Sequence, residues 1–213
     1  MLFWIELYIS LEIDYLDKTY NPSIPYFLDM PLDYRIGSVH FIPTADKLTE
    51  ANMVSIDGPY EDFTKAVDVH FGGDIKKLIK RYYESSMHMV ELGGIDIVGH
   101  MDKIYMNGHR CAGFSMEEEW YTNLVKEYIH LIAEKELMIE INSKNMVRKQ
   151  HTYPHRMFFP LIKELNIPVM VNSDCHYPNL VNDGREASFG LLKEYGFKHT
   201  RELIEGKWTD VPV

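Results

Sequence analysis

The sequence predicts an α/β protein built from parallel βα units, arranged as an open sheet or a barrel. Short apolar strands alternate with helix-like stretches along the chain, an alternation typical of parallel βα units. Polar residues capable of chemistry recur where those strands end, as they do at the carboxyl edge of such sheets. The chain has 213 residues, of which 46% are hydrophobic and 25% charged, and these values suit one globular domain with a sizeable core.

Five segments have the length and apolar content of strands; they cover residues 7–14, 36–41, 95–100, 136–142 and 167–174. A sixth, weaker strand is predicted over residues 196–200. Helical spacing of apolar residues predicts helices over residues 74–93, 115–135, most of 153–166, and 184–196. Ser115 is expected to cap the second helix, ahead of a glutamate-rich first turn. The residues between the second strand and the first helix are expected to form an irregular loop.

Composition excludes several classes of function. A net charge of −10 argues against broad binding to nucleic acid or to anionic membranes, which needs clustered Lys and Arg. Glu6 interrupts the apolar N-terminal run, which also lacks the basic flank of a signal peptide. No stretch approaches the roughly 18 apolar residues of a membrane span. Cys111 and Cys175 are far apart in the sequence and fit reduced thiols, so a cytoplasmic protein is expected.

The predicted strands end in residues that bind metals or transfer protons. Because the carboxyl ends of parallel strands meet at one edge, these side chains are expected to converge. Imidazoles and carboxylates without clustered thiols are the ligands of divalent ions such as Zn²⁺, Mn²⁺ or Fe²⁺. The residues at these ends are Glu12, Asp14, His40, His100, Asp102, Glu140, Asn142, Asp174 and His176.

Each of these residues also has a structural interpretation when taken alone. A single His at a strand end is more often structural than a ligand, and an Asp there often caps the next helix. The role of Asp14 stays open between an edge-strand residue and a site residue. Cys175, between two proposed ligands, is expected to point away from them. His151 and His155 would pair as ligands only on an intact helix, and the histidines within helical stretches are expected to be surface or core residues: His70, His88 and His130.

An ordered set of motifs resembles the PHP (polymerase and histidinol phosphatase) superfamily, in its histidinol-phosphate phosphatase branch. The motifs are LEIDYL (11–16), GSVHF (37–41), DIVGHMD (96–102), EIN (140–142) and SDCH (173–176). The resemblance spans residues from about 10 to 200 and implies a distorted (β/α)7 TIM-like barrel with up to three divalent metal ions.

The resemblance also implies residue roles. Glu12 would bridge two metals, His40 and His100 would complete one site with it, Asp174 would bind the second metal and His176 the third. Arg148 would clamp the substrate phosphate together with the metals; its alternative is a surface residue in a polar loop. Glu140 and Asn142 are expected to shape the pocket. The implied reaction is hydrolysis of L-histidinol phosphate in histidine biosynthesis, and the alternatives are another small phosphorylated substrate or a metal-binding remnant without activity.

One departure from the family pattern concerns the N-terminus. The family begins with a strand ending in H-x-H, and only eleven residues precede Glu12. We therefore expect a single PHP domain over residues 1–213 whose barrel is incomplete at the N-terminus, with one complete metal site. An open barrel edge would favour a homo-oligomer.

Overall fold

The fold is centred on one parallel sheet. The computed structural model describes residues 5–44 and 52–213. Five strands, all parallel, form the sheet in the order β1-β2-β5-β6-β7. The described residues form this open sheet and no closed barrel, and the α/β fold class predicted from the sequence is confirmed. The strands of the sheet are β1 (Ser10–Asp14), β2 (Tyr34–Ser38), β5 (Ile97–Val98), β6 (Met138–Asn142) and β7 (Val169–Asn172).

Two antiparallel hairpins lie outside this sheet. The first pairs β3 (Phe41–Pro43) with β4 (Met53–Ser55). The second pairs β8 (His199–Ile204) with β9 (Lys207–Pro212). The predicted sixth strand over residues 196–200 therefore joins a separate two-stranded ribbon, because the segment after it turns at Glu205 and Gly206, both at positive φ, and pairs back on it.

Helices cover the sheet and fill the connections between its strands. They are α1 (Pro25–Leu28), α2 (Tyr60–Phe71), α3 (Ile75–Leu92), α4 (Tyr105–Gly108), α5 (Glu119–Glu134), α6 (Met146–Lys149), α7 (Phe159–Glu164) and α8 (Arg185–Glu194). Among the described residues, no helix combines the length and the apolar character needed to cross a membrane.

The two long helices differ in how well the sequence predicted their starts. Asp74 caps α3 by accepting a hydrogen bond from the backbone N–H of Lys76 at 3.0 Å, so the helix starts within one residue of the predicted start at residue 74. The helix α5 begins at Glu119, and the prediction that Ser115 caps it was wrong. Ser115 Oγ instead accepts the N–H of Glu117 at 3.2 Å in a turn before the helix.

The helix α2 occupies part of the segment expected to be an irregular loop. Its buried residues are Phe63 and Val67, one turn apart, so its apolar face is too narrow to stand out by periodicity. It ends at Gly72, whose φ of +65° is the left-handed conformation that closes a helix.

The core between the long helices is rich in tyrosine. Tyr82 and Tyr83 of α3 are fully buried beside Tyr121 and Tyr128 of α5. The hydroxyl groups of Tyr83 and Tyr121 lie 3.1 Å apart, so each buried phenol has a polar partner. This packing holds α3 and α5 against each other.

Candidate metal centre

Three side chains from neighbouring strands converge at the carboxyl edge of the sheet. Glu12 lies on β1, His40 follows β2, and His100 follows β5; we call these three residues the Glu12 cluster. Glu12 Oε1 lies 2.9 Å from His100 Nε2 and 3.7 Å from His40 Nε2. Within residues 5–44 and 52–213, this is the one group of three or more His, Cys, Asp or Glu residues whose ligand atoms all lie within 4.8 Å of one another.

Glu12 is held as a carboxylate by the groups around it. Partial burial alone would raise its pKa, but the hydrogen bond and charge of His100, the Ser38 hydroxyl and the charge of His40 outweigh burial and lower the pKa to about 2. Ser38 Oγ donates to Glu12 Oε1 at 2.6 Å. The Glu12 side chain remains 39% exposed, so a ligand can reach it from outside.

Asp14 orients His40. Its Oδ1 accepts the backbone N–H of His40 at 3.0 Å and lies 2.8 Å from His40 Nδ1. A proton on Nδ1 leaves the Nε2 lone pair of a neutral ring on the side of Glu12, which is the arrangement of a metal-binding histidine. Burial lowers the pKa of His40, but the hydrogen bond and charge of Asp14 and the charge of Glu12 outweigh burial and raise it. The sequence left the role of Asp14 open, and its contact with His40 places it behind the cluster.

His100 is positioned from the neighbouring strand. It is 1% exposed, and its backbone N–H donates to Glu140 Oε2 at 2.8 Å. The other oxygen of Glu140 accepts from Asn172 Nδ2 at 3.0 Å. Gly99 allows this close packing, because a Cβ there would collide with Ser38 Oγ. Glu140 thus supports the backbone of His100 and does not join the Glu12 cluster.

The donor set of the Glu12 cluster fits a divalent transition metal. Two imidazole nitrogens and one carboxylate oxygen are the protein ligands of catalytic zinc sites, and a facial set of the same kind binds Fe²⁺. A carboxylate that stays ionised, together with an imidazole whose second nitrogen is anchored by Asp14, meets the chemical needs of such a site.

Asp174 and His176 are not part of the Glu12 cluster. They form a second group together with Lys144. Asp174 Oδ2 accepts from Lys144 Nζ at 3.1 Å, and Lys144 Nζ also lies 3.3 Å from His176 Nδ1. We call Lys144, Asp174 and His176 the Asp174 cluster. The His176 side chain is 65% exposed, and its Nδ1 lies 3.0 Å from the backbone oxygen of Asp174.

Asn142 connects the two clusters. Its Nδ2 donates to Glu140 Oε2 at 3.3 Å and to Asp174 Oδ2 at 3.2 Å. Because Glu140 also accepts the N–H of His100, one chain of hydrogen bonds runs from the first cluster to the second. Lys144 was missed at the sequence level, since nothing in its turn after β6 indicates which carboxylate it contacts.

The remaining predicted site residues lie elsewhere. Arg148 is exposed on α6, and none of the hydrogen bonds or ion pairs found among the described residues involves it. Asp102 is fully buried, accepts the backbone N–H of His155 through Oδ2 at 2.7 Å and lies outside both clusters. Burial raises the pKa of Asp102 to about 7.

Comparison with known families identifies the class of this domain. A family model for the PHP domain matches residues 4–144, more than half of the chain, and the chain belongs to the PHP domain family. The resemblance found in the sequence motifs is therefore confirmed. No curated protein matches the chain.

Two of the solved structures that share the fold come from Lactococcus lactis subsp. lactis and Listeria monocytogenes. One is a histidinol phosphate phosphatase from Lactococcus lactis subsp. lactis, complexed with Zn, L-histidinol and phosphate, with 18% identity and a TM-score of 0.62 over 96% of this chain and 72% of that one. The other is a candidate histidinol phosphatase from Listeria monocytogenes, with 20% identity and a TM-score of 0.61 over 73% of this chain. The match spans 58% of the Listeria protein's length.

Proposed function

We propose that this PHP domain is a metal-dependent phosphomonoester hydrolase. The observation that carries the proposal is the Glu12 cluster, in which three metal-type ligands from three neighbouring strands meet at the carboxyl edge of the sheet. Membership of the PHP domain family supports the same class of chemistry.

The Glu12 cluster would hold a divalent ion. Asp14 fixes the position of His40, and Glu140 fixes the backbone of His100. Such an ion, which we propose to be Zn²⁺, Mn²⁺ or Fe²⁺, would supply a Lewis acid that activates water and offsets phosphoryl charge. The protein keeps Glu12 ionised and His40 oriented before any ligand arrives, so the site is organised in advance.

The Asp174 cluster and Arg148 would complete the substrate side of the site. We retain Asp174 and His176 as proposed ligands of further metal ions and Asp174 as a catalytic residue. For Asp174 to take that role, Lys144 must leave its carboxylate, and its flexible side chain, 37% exposed, allows this. Lys144 and Arg148 are then the cations that we propose to contact phosphoryl oxygens.

L-histidinol phosphate is the substrate we propose, and histidine biosynthesis the corresponding pathway. The Lactococcus structure that shares the fold was solved with L-histidinol and phosphate, which supports a substrate of this kind. Another small phosphomonoester is the alternative, because the fold alone leaves the organic part of the substrate open.

The test is phosphate release from histidinol phosphate by the full chain with added Zn²⁺ or Mn²⁺, beside a panel of other phosphomonoesters. We expect hydrolysis that Glu12→Gln abolishes and that His70→Gln, a change at an exposed helical histidine, leaves intact. Activity on other members of the panel alone would move the assignment to a different substrate. Equal activity of Glu12→Gln and the parent protein would contradict the proposed function.

A further inference from the structure

The stretch from Lys144 to Arg156 stands apart from the rest of the chain in its charge. It holds four of the 22 Lys and Arg residues, two histidines and no Asp or Glu, although the chain as a whole carries −10. A local excess of positive charge in an acidic protein needs either distance from other cations or a negative partner.

This segment contributes most of the wall of a cavity that shares no residue with the Glu12 cluster. The cavity has a volume of about 250 Å³. Its lining contains three imidazoles, one ammonium and one guanidinium group and no carboxylate. The lining residues are Tyr105, Met106, His109, Lys149, Gln150, His151, Tyr153, His155 and Arg156.

The three histidine rings pack around one tyrosine. The ring centroid of Tyr105 lies 4.8 Å from that of His109, 5.4 Å from His151 and 6.0 Å from His155. Among the described residues, no set of donor atoms here comes within 4.8 Å as it does in the Glu12 cluster. The spacing therefore argues against a preformed metal site.

The hydrogen bonds leave donors without partners. His155 Nδ1 accepts the backbone N–H of Met157 at 3.3 Å, so a neutral His155 carries its proton on Nε2. His151 Nε2 is buried and has no hydrogen-bond partner in the part of the chain that the structure describes. A buried, unpaired polar atom in a basic cavity calls for a polar ligand.

The electrostatics agree with this geometry. Burial, followed by the charges of His155, Lys149, His109 and Arg156, lowers the pKa of His151 to about 4. Burial and the charge of Arg156 also lower the pKa of His155. These groups repel further positive charge and no carboxylate lines the cavity, so an anion placed among them would relieve that repulsion.

We propose that this cavity is an anion-binding site that takes a phosphate-type oxyanion. Arg156 and Lys149 would supply charge, and His155 Nε2 and His151 would supply directed hydrogen bonds. Tyr105 follows the end of β5 and Lys149 the end of β6, so the cavity opens beside the same edge of the sheet as the Glu12 cluster. The proposal goes beyond phosphatase activity and does not depend on it.

The test measures binding of inorganic phosphate to the full chain by isothermal titration calorimetry. We expect Arg156→Ala and His151→Gln each to weaken binding about 10-fold or more. Arg81→Ala, which removes an exposed Arg from a different surface, is the matched control and should bind as the parent does. Lys149→Ala is a third variant, which removes an exposed cation from the lining of the cavity. Circular dichroism confirms that each variant is folded.

Glu12→Gln separates this site from the metal centre. Binding that survives Glu12→Gln but is weakened by Arg156→Ala supports the cavity. Binding that is lost in Glu12→Gln and unchanged in Arg156→Ala and His151→Gln overturns it, as does the absence of saturable binding to the parent protein. The source of the anion is then read from the KM for a hydrolysed phosphomonoester: Arg156→Ala raises KM if the cavity takes the substrate phosphate and leaves it unchanged if the cavity takes free phosphate.

Discussion

The two ends of the sheet edge contain similar residues but make different contacts. At the β1, β2 and β5 end, a carboxylate faces two imidazoles, with Glu12 Oε1 2.9 Å from His100 Nε2. At the β6 and β7 end, the carboxylate of Asp174 faces the Lys144 ammonium and the Asn142 amide instead. A carboxylate bonded to ammonium and amide groups has its charge offset and its lone pairs occupied. The comparison indicates that the first end is already arranged as a metal site would be, whereas the second must rearrange before Asp174 could bind a metal ion.

The largest expected effect is on the two imidazoles of the first end. His40→Ala and His100→Ala each remove a proposed nitrogen ligand, and we expect the affinity for Zn²⁺ to fall by about 100-fold or more. His176→Ala, at the second end, should leave the tightest site almost unchanged. Competition with a zinc-sensitive dye measures the Zn²⁺ affinity of all three variants. An equal loss of affinity in His176→Ala would contradict the distinction between the two ends.

Asp14 provides the next largest effect. Asp14→Asn keeps the size of the side chain but removes the charge that anchors His40 Nδ1, so we expect the Zn²⁺ affinity to fall about 10- to 100-fold. The same dye competition measures it. Asp33→Asn serves as control, since Asp33 contacts the backbone of Ile9 outside the cluster. An Asp14→Asn protein with the parent's affinity would assign Asp14 to the strand edge alone.

The pH dependence of Zn²⁺ binding should also reflect the contact between Asp14 and His40. The pKa of His40 is raised above its usual value of 6.5, and the ring must lose a proton before Nε2 can bind a metal. The affinity should therefore fall as pH drops below the pKa of His40, by up to about tenfold per unit. Asp14→Asn should move this fall to lower pH, and an unchanged profile would contradict the assignment of the titrating group.

The smallest effect concerns Asp102, which joins neither cluster. Its pKa is raised to about 7 by burial, so the folded protein holds an extra proton between the unfolded pKa near 3.8 and that value. Stability from this group is present at low pH and lost as pH rises from about 4 to 7. We expect the parent to lose about 1–3 kcal/mol over that range relative to Asp102→Asn, measured by urea unfolding at several pH values. Parallel curves for the two proteins would contradict this.

The sequence predicted the first end of the site better than the second, for a physical reason. Glu12, His40 and His100 lie on or directly after strands, where parallel pairing fixes the neighbours: Asp14 opposes Ser38, and Gly37 opposes Val98. Strand register thus determines which side chains meet. The contacts of Lys144 and Asp174 depend on turns after β6 and β7, including the positive φ of +47° at Asp174. No periodic pattern encodes such turns.

The fold shows the same difference. The five strands of the sheet and the helix α3 follow the apolar periodicity of the sequence, and these were predicted. The helix α2 and the β3–β4 hairpin were missed because each buries few residues, with Val54 the one fully buried residue of β4. Their positions are set by packing against α3 rather than by local pattern.

The central claim is that the Glu12 cluster is the principal metal site, and metal content measures it most directly. Protein purified with Zn²⁺ and dialysed should retain about one tightly held ion per chain, as three protein ligands with an open position allow. Glu12→Gln should lose that ion, and Asp174→Asn should keep it. Full retention of zinc in Glu12→Gln, together with its loss in Asp174→Asn, would contradict the account and move the metal to the other end of the sheet.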